Sequence, residues 1–177
     1  MAGESRSRRT AQLDKAEREH LEAVVEKLRE RVENNVRHRL TRTGLGAEPV
    51  DFESLDEDVA PLAEAIELER ADDDTWTEAF EQYVTGVGYT IVNRLAALRC
   101  LDVRELVDEE VTVFKRNGLT PAAERLVHEE SLPADEAILE AYHEACDGLA
   151  AEIGILFDPE SAYSVVAPDA DTFEKLC

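Results

Sequence analysis

The chain has 177 residues, 44% of them hydrophobic, and carries 41 Asp and Glu against 19 Lys and Arg, a formal net charge of −22. That length suits one domain with a real core, which excludes disorder throughout, and a free polyanion repels nucleic acid, which disfavours bulk binding of DNA or RNA. Cys100, Cys146 and Cys177 form no CxxC pair, and with no secretory signal and no apolar run of membrane-spanning length the expectation is a soluble cytoplasmic protein.

The acidity has a ready physical source. Surface carboxylates in such number keep a protein hydrated in a very salty cytoplasm, where 1 M salt shortens the Debye length to about 3 Å. The charge is uneven, however. Residues 1–42 hold 11 Lys/Arg against 8 Asp/Glu, whereas residues 43–177 hold 8 against 33. The basic head is the one stretch suited to approach phosphate.

In chain order, residues 1–10 are polar and expected to be a disordered N-terminus. Residues 11–41 predict a long helix, because Leu21, Val25, Leu28, Val32, Val36 and Leu40 recur at steps of three or four. The steps favour four, so the stripe drifts and suits packing on a globular body better than a coiled coil. Gly44, Gly46 and Pro49 end it. A short helix is expected over 56–70, with Asp56 as its cap and Pro61 in its first turn. Asp72, Asp73 and Asp74 form an acidic loop that leads to a cap at Thr75.

Residues 75–107 predict the second long helix. At 100° per residue, Trp76, Phe80, Tyr83, Val87, Ile91, Leu98 and Leu101 share one arc, which makes this the core element. Gly86 and Gly88 in its middle point to close helix–helix approach or a kink. The apolar run Val111–Phe114 suits a brief strand or helical turn, Thr120-Pro121 opens a helix to about Glu130, and another runs from Ala134 to Gly154. The fold class is therefore mainly α: a helical domain over 11–157 with two long helices, then an irregular tail. Residues 158–177 are expected to be a linker or the start of a following region, ending in what looks like a new amphipathic helix at Phe173–Cys177.

Motifs for chemistry are scarce. Gly44-Leu45-Gly46 and Gly86-Val87-Gly88 lack the strand–turn–helix setting of a nucleotide or methyl-donor loop. Asp158-Pro159-Glu160-Ser161-Ala162-Tyr163 has the start of a base-flipping Asn/Asp-Pro-Pro-Tyr/Phe turn but not its second proline, and reads as a plain turn. Glu-x-x-His occurs at Glu17/His20 and Glu140/His143, as often as chance supplies it in so acidic a chain, and His143 with Cys146 falls short of four ligands, so no metal is assigned.

One position stands out. Arg94 falls at the centre of the apolar arc, at the azimuth of Trp76. A buried guanidinium needs a partner, and no acidic residue lies three or four positions away in the helix. The alternatives are an ion pair with another helix or a contact with ligand or nucleic acid. Asn93, Arg99 and Asp102 continue the polar set, and Arg99 and Asp102 are spaced to pair at i, i+3.

The stretch Gly88–Arg104 resembles the NR-L-x-A-L-R-x-L/M-E-V helix near the start of PglX-like proteins, the adenine-specific DNA methyltransferases of BREX phage-defence systems. Asn93, Arg94, Leu95, Ala97, Leu98, Arg99 and Val103 match, and Asp102 stands where the family usually has Glu. Asn34-Asn35-Val36-Arg37, Leu156-Phe157-Asp158-Pro159 and Tyr163-Ser164 are also similar to that region. The resemblance implies a helical segment preceding a methyltransferase domain, with S-adenosylmethionine as the donor, N6-methyladenine in DNA as the product, a defence role and, given the acidity, a haloarchaeal-type version. Neither the donor-binding motif nor the Pro-Pro-Tyr/Phe motif is present, so no catalytic or cofactor-binding residue carries over. The expectation is a truncated or split methyltransferase whose partners are DNA, the missing catalytic domain or other defence-system proteins. Phosphate contacts then fall to Arg29, Arg31, Arg37, Arg39 and Arg42, the alternative for these being surface salt bridges.

Overall fold

A computed structural model describes residues 13–177, and the expectation for residues 1–10 lies outside them. The fold is mainly α, with no strand among the described residues. Its two long helices are α1 (Lys15–Arg42) and α3 (Trp76–Val103), each of 28 residues. Both begin with reciprocal capping boxes, Asp14 with Glu17 and Thr75 with Glu78, which satisfy backbone donors that the first turn leaves free.

The long helices run antiparallel. Arg29 of α1 meets Tyr89 of α3, Glu33 meets Gly88, and Arg37 meets Glu81. At Gly88 a Cβ would stand 2.8 Å from Glu33 Cγ, so here glycine serves the close approach that the sequence suggests. Gly86 faces a different neighbour, the ring of Tyr163, which an added Cβ would meet at 2.4 Å. The α3 helix is continuous through both.

Around this pair lie α2 (Ala60–Glu67), α4 (Pro121–Glu129), α5 (Ala134–Ala150), and the short α6 (Gly154–Phe157) and α7 (Ala170–Leu176). The α2 helix starts later than Asp56. Its N-cap is Val59, and Asp56 contributes only its carbonyl, which accepts from Val59 and Ala60. Pro61, which has no amide donor to lose, fits the first turn. Helices α4 and α5 form a hairpin cross-tied by Arg125, which reaches Glu109 at 2.8 Å and Glu144 at 2.5 Å.

The predicted arc on α3 is the core: Trp76, Phe80, Tyr83, Val87, Ile91 and Leu98 are buried, and Leu101 near the helix end is half-buried. On α1 the stripe divides. Val32, Val36 and Leu40 are buried, but Leu21 and Val25 are 50% and 41% exposed. The first half of α1 is covered less closely than the second, with Leu21 and Val25 beside a groove that α3 also lines. The run Val111–Phe114 is neither strand nor helix but a loop pinned to α3. Residues 158–177 pack onto the domain: α7 contacts α1 and α5, and Phe173 is fully buried.

Candidate functional site

The Arg94 side chain is buried, as its azimuth requires. Its partners are not a carboxylate. Nε donates to the carbonyl of Leu156 at 2.7 Å, and Nη2 donates to the carbonyl of Asp158 at 3.1 Å and to Ser164 Oγ at 2.7 Å. In place of an ion pair with another helix, Arg94 clasps the end of α6 and the turns that follow it. A helix end leaves carbonyls without intrahelical donors, and a planar fork with several N–H groups meets them at once. The Phe157 ring lies 6.0 Å from the guanidinium carbon and adds a cation–π contact. Asp158 itself forms a turn in which its carboxylate accepts from the Glu160 amide, so Asp158-Pro159 serves as the turn its sequence suggested.

Beside Arg94 is a partly enclosed cavity of about 130 Å³, lined also by Tyr142, His143, Cys146, Asp147 and Phe157. Tyr142 is only 2% exposed, and its hydroxyl lies beside the Arg94 guanidinium and the Cys146 thiol without a well-formed hydrogen bond to either. Burial raises its pKa, and burial pushes the Cys146 thiol up to about 11, so at neutral pH both groups keep their protons. Tyr142 and Ser164 were not legible as parts of this site, because Tyr142 reads as an ordinary core aromatic on α5 and Ser164 as a loop residue. Among the described residues, no cluster of three His, Cys, Asp or Glu side chains is placed to hold a metal ion.

The other polar residues of α3 take separate roles. Asn93 is exposed. Arg99 and Asp102 do not pair. Arg99 donates to the Thr112 carbonyl at 3.4 Å, and the buried Asp102 carboxylate accepts from the amides of Val111 and Thr112 and from the Thr112 hydroxyl. Those donors come from a loop that local helix spacing cannot anticipate.

The arginines of α1 are largely occupied by protein groups. Arg29 ion-pairs with Glu33 at 3.1 Å and donates to Tyr89 Oη at 2.7 Å. Arg37 grips Glu81 with two nitrogens, at 3.3 and 2.7 Å. Arg39 donates to the Ala167 carbonyl, and Arg31 reaches the Lys175 carbonyl at 3.4 Å. Arg42 is exposed in the last turn.

A second surface feature adjoins α1. Leu21, Val24, Val25 and Leu28 form an apolar groove with Val92 and Leu95 of α3, about 200 Å³ in volume.

No protein family model, curated protein or solved structure matches this chain.

Proposed function

We propose that this chain is a helical N-terminal module of a site-specific DNA adenine N6-methyltransferase of a phage-defence or restriction–modification system, acting in the cytoplasm and transferring no methyl group alone. One observation supports this reading most. Segments that carry the resemblance and lie far apart in sequence converge on one side chain: Arg94 of the Asn93–Arg99 stretch holds Leu156 and Asp158, and also Ser164 of Tyr163-Ser164. Asn35 of the Asn34–Arg37 match likewise bonds Asp169. A resemblance scattered over the chain thus has a common structural reason, the set of contacts that fastens the tail to the helices.

On this reading S-adenosylmethionine and the flipped base belong to the rest of the enzyme. DNA phosphate falls chiefly to Arg42, since Arg29, Arg31, Arg37 and Arg39 already hold protein groups. The apolar groove on α1 suits a protein surface such as the catalytic domain. The same groove supports a second reading, a standalone adaptor that binds other proteins through its long helices.

The test is N6-methyladenine formation in DNA, read by mass spectrometry, for the chain alone, its genomic neighbours alone, and both together. Methylation only in the combined sample supports the module. Methyl transfer or S-adenosylmethionine binding by the isolated chain overturns it, and so does full activity of the neighbours without the chain. Stable complexes with proteins unrelated to methylation would favour the adaptor.

A further inference from the structure

Arg94 is a buried cation with no carboxylate in ion-pair range among the described residues. Its Nε and Nη2 are committed to Leu156, Asp158 and Ser164, while Nη1 has no acceptor among the described residues. The neighbouring cavity brings together that guanidinium and the hydroxyl of Tyr142, which lies beside Arg94 and the Cys146 thiol without a well-formed hydrogen bond to either. Apolar Phe157 forms part of the wall, and His143 stands exposed on the lining. Carbonyls satisfy N–H groups of a guanidinium but carry no net charge, so its positive charge stays available to an anion in the cavity. Water in the cavity would serve the hydroxyl but would not neutralise the charge.

We infer that this cavity binds a small oxyanion, the head group of a carboxylate or a phosphate, with Arg94 Nη1 and the Tyr142 hydroxyl as donors and His143 as the rim contact. A volume of about 130 Å³ admits such a group and excludes a nucleic-acid duplex. Asp147 is the carboxylate on the lining and opposes the anion. It therefore sets selectivity for ligands that gain enough from Arg94 and Tyr142 to outweigh it. The inference is independent of the methyltransferase reading, since it stands on the geometry of the cavity and needs no partner.

The experiment uses the full chain in potassium chloride at about 1 M, where screening suppresses the repulsion of the acidic surface. Inorganic phosphate and acetate are titrated separately at constant ionic strength, with melting temperature and heat of binding as readouts. A saturable rise with at least one of them is expected, and which anion gives it identifies the head group. Tyr142→Phe should weaken binding by about fivefold, the loss of one buried hydrogen bond, without lowering the ligand-free melting temperature. Exposed Asp147→Asn should tighten binding by about twofold through the removed repulsion. The inference is overturned if neither anion binds beyond the ionic-strength control. It also fails if Tyr142→Phe and Asp147→Asn both titrate like the parent, which would leave an adventitious ion only.

Discussion

Arg94 sits among apolar side chains because a planar guanidinium exchanges water for three protein acceptors at once. Arg94→Lys presents one compact ammonium that cannot span Leu156, Asp158 and Ser164, so a loss of about 2–3 kcal/mol is expected, read as a lower denaturant midpoint at unchanged slope. Sequence placed this residue correctly, since azimuth follows from helix geometry alone. It did not find the acceptors, because every residue carries a carbonyl and no side-chain pattern marks which ones a fold leaves unpaired. Asp102 teaches the same lesson: its spacing suggested Arg99, and the bonds go to loop amides. Tyrosines set the alkaline limit. Tyr163 donates to Glu69 at 2.6 Å, which with burial raises its pKa to about 12, and burial with the Glu69 charge does the same for Tyr83. An unfolded tyrosine titrates near pH 10, so this stabilisation is complete below about pH 10 and is lost as pH rises through about 12. Tyr163→Phe should flatten that part of the stability–pH curve, and an unchanged alkaline limb would refute the assignment.

Among the elements, α1 separates what periodicity reveals from what it cannot. The repeat locates the apolar face but not how far the body extends beneath it. Leu40 is 1% exposed and Leu21 50%. Leu40→Ala is therefore expected to cost about 2–5 kcal/mol and Leu21→Ala under about 0.5, measured by chemical denaturation. Two of the helical glycines, Gly86 and Gly148, offer an opposite pair. Gly86→Ala drives a methyl into the Tyr163 ring and should destabilise by about 1–3 kcal/mol. An added Cβ at Gly148, inside α5, meets nothing within 4 Å, so Gly148→Ala should stabilise by up to about 1 kcal/mol. Equal effects at both positions would show that backbone propensity alone governs. The last amphipathic turn was legible near Phe173, but its burial against Tyr142 and Phe114 was not, because those rings come from distant parts of the chain.

For the whole molecule, a charge of −22 makes stability a function of salt. Raising potassium chloride from 0.1 to 1 M shortens the Debye length from about 10 to about 3 Å, and the melting temperature is expected to climb. A fall would mean that the surface ion pairs outweigh the repulsion. Composition and spacing sufficed for the helical class and the core helix, since both depend on local pattern. The cavity at Arg94 was beyond reach because α3, α5 and the tail each supply part of its wall. The clasp has a further consequence. Ile155 is fully exposed, and it directly precedes the first of the three acceptors. A protease that severs the backbone there spares every contact to Arg94, so the nicked protein should separate into two bands on a denaturing gel yet elute from a sizing column as a single particle.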